Sequence, residues 1–137
     1  MFFPDLAKRA CSATRSLEVI KILCVDDSRE MLDILVEMLN PGFLVVGALT
    51  SGAAVLAQVG ALKPDIILLD IDLGDMNGFL LAERLRDMEC RAKIVFVSAH
   101  ESSPFVKAAH DAGAAFVGKS QLTRDLVNTL RRVDLDV

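Results

Sequence analysis

The sequence predicts an α/β domain of three layers, doubly wound, with a parallel five-stranded sheet covered by helices on both faces. Three observations carry this. From about residue 19 onward, short apolar runs alternate with segments of helical periodicity, unit after unit; that is the pattern of a parallel sheet with crossover helices. The runs are continuously apolar, as strands covered on both faces are. The chain has 137 residues, 53% hydrophobic and 25% charged, which is enough for one packed domain and too few for two.

Residues 1–18 differ in composition, with Pro4, Lys8, Arg9, Ser12, Thr14 and Arg15. They read as an N-terminal extension, a loose tail, and residues 19–137 as the domain. Residues 20–25 form the first strand. Leu32, Leu35, Val36 and Leu39 recur at the spacing of one helix face, and Asn40-Pro41-Gly42 stops that helix. Residues 43–49 are the second strand. Ser51 caps a second helix with Val55, Val59 and Leu62 on its apolar side. Pro64 precedes the third strand, residues 66–70. Asn77 caps a third helix bearing Leu81, Leu85 and Met88, and residues 93–97 are the fourth strand. Ser103-Pro104 reads as an N-cap followed by proline at the first helical position, opening a helix that ends near Gly113. Residues 114–117 are a short fifth strand. Thr123 caps a last helix that buries Leu126, Val127, Leu130 and Val133, with Arg131-Arg132 at its cationic end.

Composition excludes several function classes. A net charge of -4 does not suggest a nucleic-acid surface. Cys11, Cys24 and Cys90 show no metal spacing, and free thiols fit a reducing compartment. No apolar run reaches the roughly 18–20 residues of a membrane span, and the N-terminus lacks the basic and apolar regions of a signal peptide. A cytoplasmic location is expected, with no membrane partner and no nucleic-acid contact by this chain itself.

The chemistry gathers at the strand ends. Asp26 and Asp27 close the first strand, Asp70 the third and Ser98 the fourth, and the fifth runs through Gly118 into Lys119. With strand order 2-1-3-4-5, these side chains line one crevice at the carboxyl edge of the sheet, where ligands of open α/β sheets bind. Three carboxylates there repel one another, and a divalent cation relieves the repulsion. Oxygen-only ligation suits Mg²⁺. A carboxylate beside such a cation, a lysine and a hydroxyl is equipped to accept a phosphoryl group, with Asp70 as the nucleophile. Asp26 and Asp27 also suit a helix N-terminus, and capping can coexist with ligation.

At this point the residues resemble a family. Val25-Asp26-Asp27, Leu69-Asp70-Ile71-Asp72-Leu73 running to Met76-Asn77-Gly78, Val97-Ser98-Ala99 and Phe116-Val117-Gly118-Lys119, in this order, are similar to the receiver domain of bacterial two-component response regulators. The resemblance covers residues 19–134. It implies a flavodoxin-like (βα)5 fold and a conformational shift on phosphorylation, within a phosphorelay. By resemblance Asp70 is the phosphoacceptor, Asp27 a direct Mg²⁺ ligand, Asp26 a ligand mainly through water, and the Asp72 carbonyl a further ligand. Ser98 moves toward the phosphoryl group and Lys119 pairs with it. Phe116 reads either as core packing or as an aromatic switch that turns inward when Ser98 moves. Asp72 and His100 flank the site where such residues tune phosphoryl lifetime, although His100 and His110 also read as exposed bystanders. The donor implied is a phosphohistidine on a sensor histidine kinase or histidine phosphotransfer protein, and a homodimer through helix 4, strand 5 and helix 5 is a family expectation. The chain would catalyse only its own phosphorylation and dephosphorylation.

Two departures stand out. Gly74 replaces a common proline, which predicts a looser loop. Ser120 follows Lys119 where the family usually has proline, so a trans bond and a different turn are expected. Two other functions compete. Asp70-Ile71-Asp72 resembles the start of haloacid-dehalogenase-like phosphatases, but those place their metal-binding acids downstream, and here the acid pair lies upstream. A phosphorylation-independent binding module is disfavoured by the intact carboxylates, hydroxyl and lysine. Only residues 134–137 follow the last helix, so this is either a stand-alone receiver or one cut from a regulator whose DNA-binding output domain would lie outside this chain.

Overall fold

The computed structural model describes residues 19–135. The reading of residues 1–18 as an extension therefore lies outside the described residues. The order is β1 (Lys21–Val25), α1 (Arg29–Leu39), β2 (Leu44–Leu49), α2 (Gly52–Leu62), β3 (Ile66–Leu69), α3 (Gly78–Asp87), β4 (Lys93–Ser98), α4 (Ser103–Asp111), β5 (Ala115–Gly118) and α5 (Leu122–Leu135). The sheet runs β2-β1-β3-β4-β5, with every pairing parallel. The order reverses between β1 and β3, which makes the carboxyl edge there the crevice of the fold.

Strand residues alternate between two apolar layers, as a period of two requires. Ile22, Cys24, Leu68, Val95 and Val97 pack with Leu32, Leu35 and Leu39 of α1 and Leu126 and Leu130 of α5. Leu23, Val25, Ile67, Leu69 and Phe96 pack with Val55 and Val59 of α2 and Leu81 and Leu85 of α3. Both layers are fully buried at their centres, which is why the strands read as unbroken apolar runs. The edge strand β2 departs from that rule: Leu44 is half exposed, and its register against β1 shifts between Ile22 and Leu23.

Helix starts follow local chemistry in three cases. Ser28 accepts from the Met31 N–H, Ser51 from the Ala54 N–H, and Asn77 from the Phe79 N–H at 2.6 Å. Three expectations need correction. Met88 is exposed because α3 ends at Asp87, so the buried spacing that continues from Leu85 runs past the helix. The N-cap of α4 is Ser102, without a side-chain bond, and Ser103 is the first helical residue. Thr123 caps nothing, because a 3-10 turn over Lys119–Gln121 leads straight into α5 at Leu122.

The pole of the sheet away from the crevice is tied by polar bonds. Asp65 accepts the Lys21 N–H on Oδ2 at 2.8 Å, donates its N–H to Lys21 O and accepts the Lys93 N–H on its carbonyl. Lys93 Nζ donates to Val133 O at 2.7 Å, and Arg86 to Ala112 O at 3.0 Å. A cleft of about 610 Å³ opens there, lined by Arg86, Cys90, Lys93, His110 and Arg132 among others. It is far from the acidic crevice, and Arg86 and Lys93 are already engaged by helix-end carbonyls. Among the described residues no helix is long and apolar enough to cross a membrane.

Candidate functional site

Register decides what meets at the crevice. Val25 lies beside Leu69, so the next residues, Asp26 and Asp70, leave the sheet side by side. Ser98 pairs with Gly118, which puts the hydroxyl and the residue before Lys119 at the same level. Backbone bonds fix both acids: Asp26 N–H donates to Leu49 O and Asp70 N–H to Val25 O, each at 3.1 Å.

Asp26 is 1% exposed, Asp70 5% and Ser98 0%, while Asp27 faces solvent. Carboxylate oxygens of Asp26, Asp27 and Asp70 all lie within 4.8 Å of one another. Lys119 Nζ sits between two of them, 2.8 Å from Asp26 Oδ2 and 3.1 Å from Asp70 Oδ2. Burial alone would lower the lysine's pKa. Its hydrogen bond to Asp26 and the charge and hydrogen bond of Asp70 outweigh that, and the net shift is upward. The ammonium is therefore firmly protonated. Asp26 Oδ1 accepts the Ser28 N–H at 2.9 Å, so both its oxygens are engaged. Asp70 Oδ1, by contrast, is buried with no hydrogen-bond partner among the described residues.

Ser98 Oγ accepts the His100 N–H at 3.2 Å. The His100 ring stacks on Phe105 with centroids 4.9 Å apart. Phe116 lies beside Phe96 in the sheet, half-buried against the second apolar layer. Asp72 is exposed; its Oδ1 accepts the Gly74 N–H at 3.3 Å. The loop after Asp70 is not slack. Gly74 has φ +82°, a left-handed conformation that proline, locked near -65°, cannot adopt. Leu73 is buried and donates its N–H to Met76 O. The Lys119–Ser120 bond is trans, since among the described residues the cis bond is Asn40–Pro41.

The structure thus brings Asp26, Asp27, Asp70 and Lys119 together, with Ser98 on the adjoining strand end and Asp72, His100 and Phe116 in or beside the flanking loops. Two carboxylates were missed by sequence reasoning. Asp75 accepts the N–H groups of Gly52 and Ala53 at 2.9 and 3.0 Å, and these bonds pull its pKa below the usual value. Glu101 accepts from Ser120, through Oγ at 2.7 Å and N–H at 3.2 Å. Both partnerships join distant loops, and no local spacing announces them.

The family model for the response regulator receiver domain matches residues 22–131. The chemotaxis protein CheY of Thermotoga maritima is 31% identical over 115 residues, covering 82% of this chain and 96% of that protein. The DNA-binding transcriptional activator EvgA of Escherichia coli (strain K12) is 33% identical over 84 residues, and this chain spans only 41% of its length. Among solved structures, the signal receiver domain of the response regulator NarL from Mycobacterium tuberculosis superposes with a TM-score of 0.77 at 27% identity, covering 88% of this chain and 99% of that one. The chain belongs to the response regulator receiver domain family, and the expected fold and strand order are those observed.

Proposed function

We propose that this receiver domain takes a phosphoryl group onto Asp70 from a phosphohistidine of a sensor histidine kinase or histidine phosphotransfer protein. The observation that carries the reading is the asymmetry of one carboxylate. Asp70 Oδ2 is held by Lys119, whereas Oδ1 is buried without a partner among the described residues. A buried polar atom left unsatisfied is costly and marks a place where a ligand or reacting group belongs.

The same orphaned oxygen, with an all-carboxylate donor set within 4.8 Å, fits a hard divalent cation such as Mg²⁺. Asp27 and Asp70 would hold it directly, with the Asp72 carbonyl. Asp26, both oxygens already engaged, is suited to contact through water. When bound, the cation neutralises charge on the phosphoryl oxygens.

The rest belongs to the chain's own residues. An Asp70 oxygen bonds to phosphorus while the donor's P–N bond breaks, and the imidazole leaves with that electron pair. Lys119 meets a phosphoryl oxygen with its ammonium. Ser98 turns its hydroxyl to another, and Phe116 moves inward behind it. Moving a 1:99 equilibrium to 99:1 takes about 5.5 kcal/mol, and hydrogen bonds to charged groups supply about 1.5–3 kcal/mol each. Asp72 and His100 border the acyl phosphate and set its lifetime. The chain catalyses only these steps on itself and works in the cytoplasm. Its shifted α4–β5–α5 face addresses a partner, a second copy or an output domain.

Acetyl phosphate with Mg²⁺ tests the reading. The intact chain should take up one label, and Asp70→Asn should take up none while keeping its circular dichroism. Label persisting in Asp70→Asn would move the nucleophile elsewhere. Sustained phosphate release from a phosphomonoester would replace the reading with a phosphatase.

A further inference from the structure

We infer that Glu101 and Ser120 form a positioning pair that holds Lys119 on target, a role that rests on the phosphoacceptor reading above. Both Glu101 carboxylate oxygens are taken by one residue, Oε1 by the Ser120 hydroxyl at 2.7 Å and Oε2 by its N–H at 3.2 Å. The same carboxylate lies directly over Gly118: a Cβ placed there would overlap Oε1. Gly118 has φ -71°, an ordinary value, so a side chain there would not strain the backbone but would displace the Glu101 carboxylate. The clamp therefore brackets Lys119 from both sides, covering the residue before it and binding the residue after it.

The bracket explains how a flexible lysine stays placed. Lys119 leaves the sheet in a single 3-10 turn, Lys119–Gln121, and a long side chain on a short turn has much freedom to lose. Pinning the turn through the Ser120 N–H and hydroxyl fixes the Lys119 Cα, and with it the reach of Nζ to Asp26 and Asp70. A proline at position 120 could supply neither donor. The clamp also joins the loop that follows Ser98, the last residue of β4 and three residues before Glu101, to the turn that carries Lys119. The two residues assigned to the phosphoryl oxygens are thus mechanically tied outside the site.

Glu101 and Ser120 are exposed and touch no reacting atom, so their effect must appear in the rate at saturation and not in donor capture. The test is acetyl phosphate labelling of the full chain with Mg²⁺, resolved into maximal rate and half-saturation. Glu101→Ala and Ser120→Ala should each lower the maximal rate about three- to tenfold, as loosened positioning does, with half-saturation and the urea midpoint unchanged. The double variant should be no slower than the slower single one. Ser120→Thr, which keeps both donors, should restore the rate. Gly118→Ala should reproduce the Glu101→Ala defect by evicting the carboxylate. Wild-type rates in Glu101→Ala, additive losses in the double variant, or losses confined to the urea midpoint would overturn the inference while leaving the phosphoacceptor reading intact. Absence of label in the wild-type chain would instead defeat the phosphoacceptor reading itself.

Discussion

Removing the Lys119 ammonium should expose how much of this fold's stability is held against its own acidic crevice. In Lys119→Met the side-chain volume is nearly kept but the charge is gone. Two carboxylates, 1% and 5% exposed, then face each other and Asp27 with no cation between them. Breaking a buried pair by deleting one partner costs about 3–5 kcal/mol, because a buried charge is left uncompensated. The lysine side chain is itself only 18% exposed, so little of this is screened by solvent. With a urea m-value of about 1–3 kcal/mol/M, a loss of 3 kcal/mol lowers the midpoint by roughly 1–3 M. The chain has no Trp or Tyr, so far-UV circular dichroism is the assay. Two controls sharpen it. Adding Asp70→Asn to Lys119→Met should recover part of the loss. In the wild-type chain the contribution should persist below the lysine's ordinary pKa of 10.5 and fade as pH rises through its higher folded-state value. A Lys119→Met variant as stable as wild type in divalent-free buffer would refute the reasoning.

Three other expectations follow from the geometry. Gly74→Ala should destabilise by about 1–2 kcal/mol by forcing a Cβ into the left-handed region, read as a lowered urea midpoint; an unchanged midpoint would mean the turn is not constrained. Asp75→Asn should weaken the chain at neutral pH. Because the Asp75 pKa is depressed, its contribution is present above the ordinary 3.8 and is lost as pH falls through the lower folded value; a difference from wild type that survives full protonation would point to another cause. Burial pushes the Cys24 thiol up to about 12, so in the native chain at pH 8 iodoacetamide should label the half-buried Cys90 in preference to Cys24, and prompt labelling of Cys24 would contradict its burial.

The fold was legible because strands and helices here obey short-range rules. Ile66 to Leu69 could only be a strand covered on both faces, and Leu32, Leu35 and Leu39 could only share a helix face. The site was legible for a related reason: in a parallel sheet every strand's carboxyl end falls on one edge, so the residues after each apolar run are neighbours whatever their separation in sequence. What stayed hidden was set by distant backbone. Met88 has the right spacing but the helix stops before it. Thr123 is a good cap in isolation, yet the turn after β5 was already helical. Asp75 and Glu101 find their partners 22–23 and 19 residues away, across loops whose approach no periodicity encodes.

The polar stitching around Asp65 has a consequence for how a signal leaves the molecule. Asp65 binds the starts of β1 and β4 to that of β3, and Lys93 and Arg86 fasten the far ends of α5 and α4. The base of the domain is thus bonded strand to strand and strand to helix end. On the proposed mechanism a rearrangement at Ser98 and Lys119 would begin at the opposite pole, among the loops that Glu101 and Asp75 join. Amides near Lys21, Asp65 and Lys93 should therefore keep their protection from solvent exchange on phosphorylation, and a partner that reads the change should bind at the crevice pole.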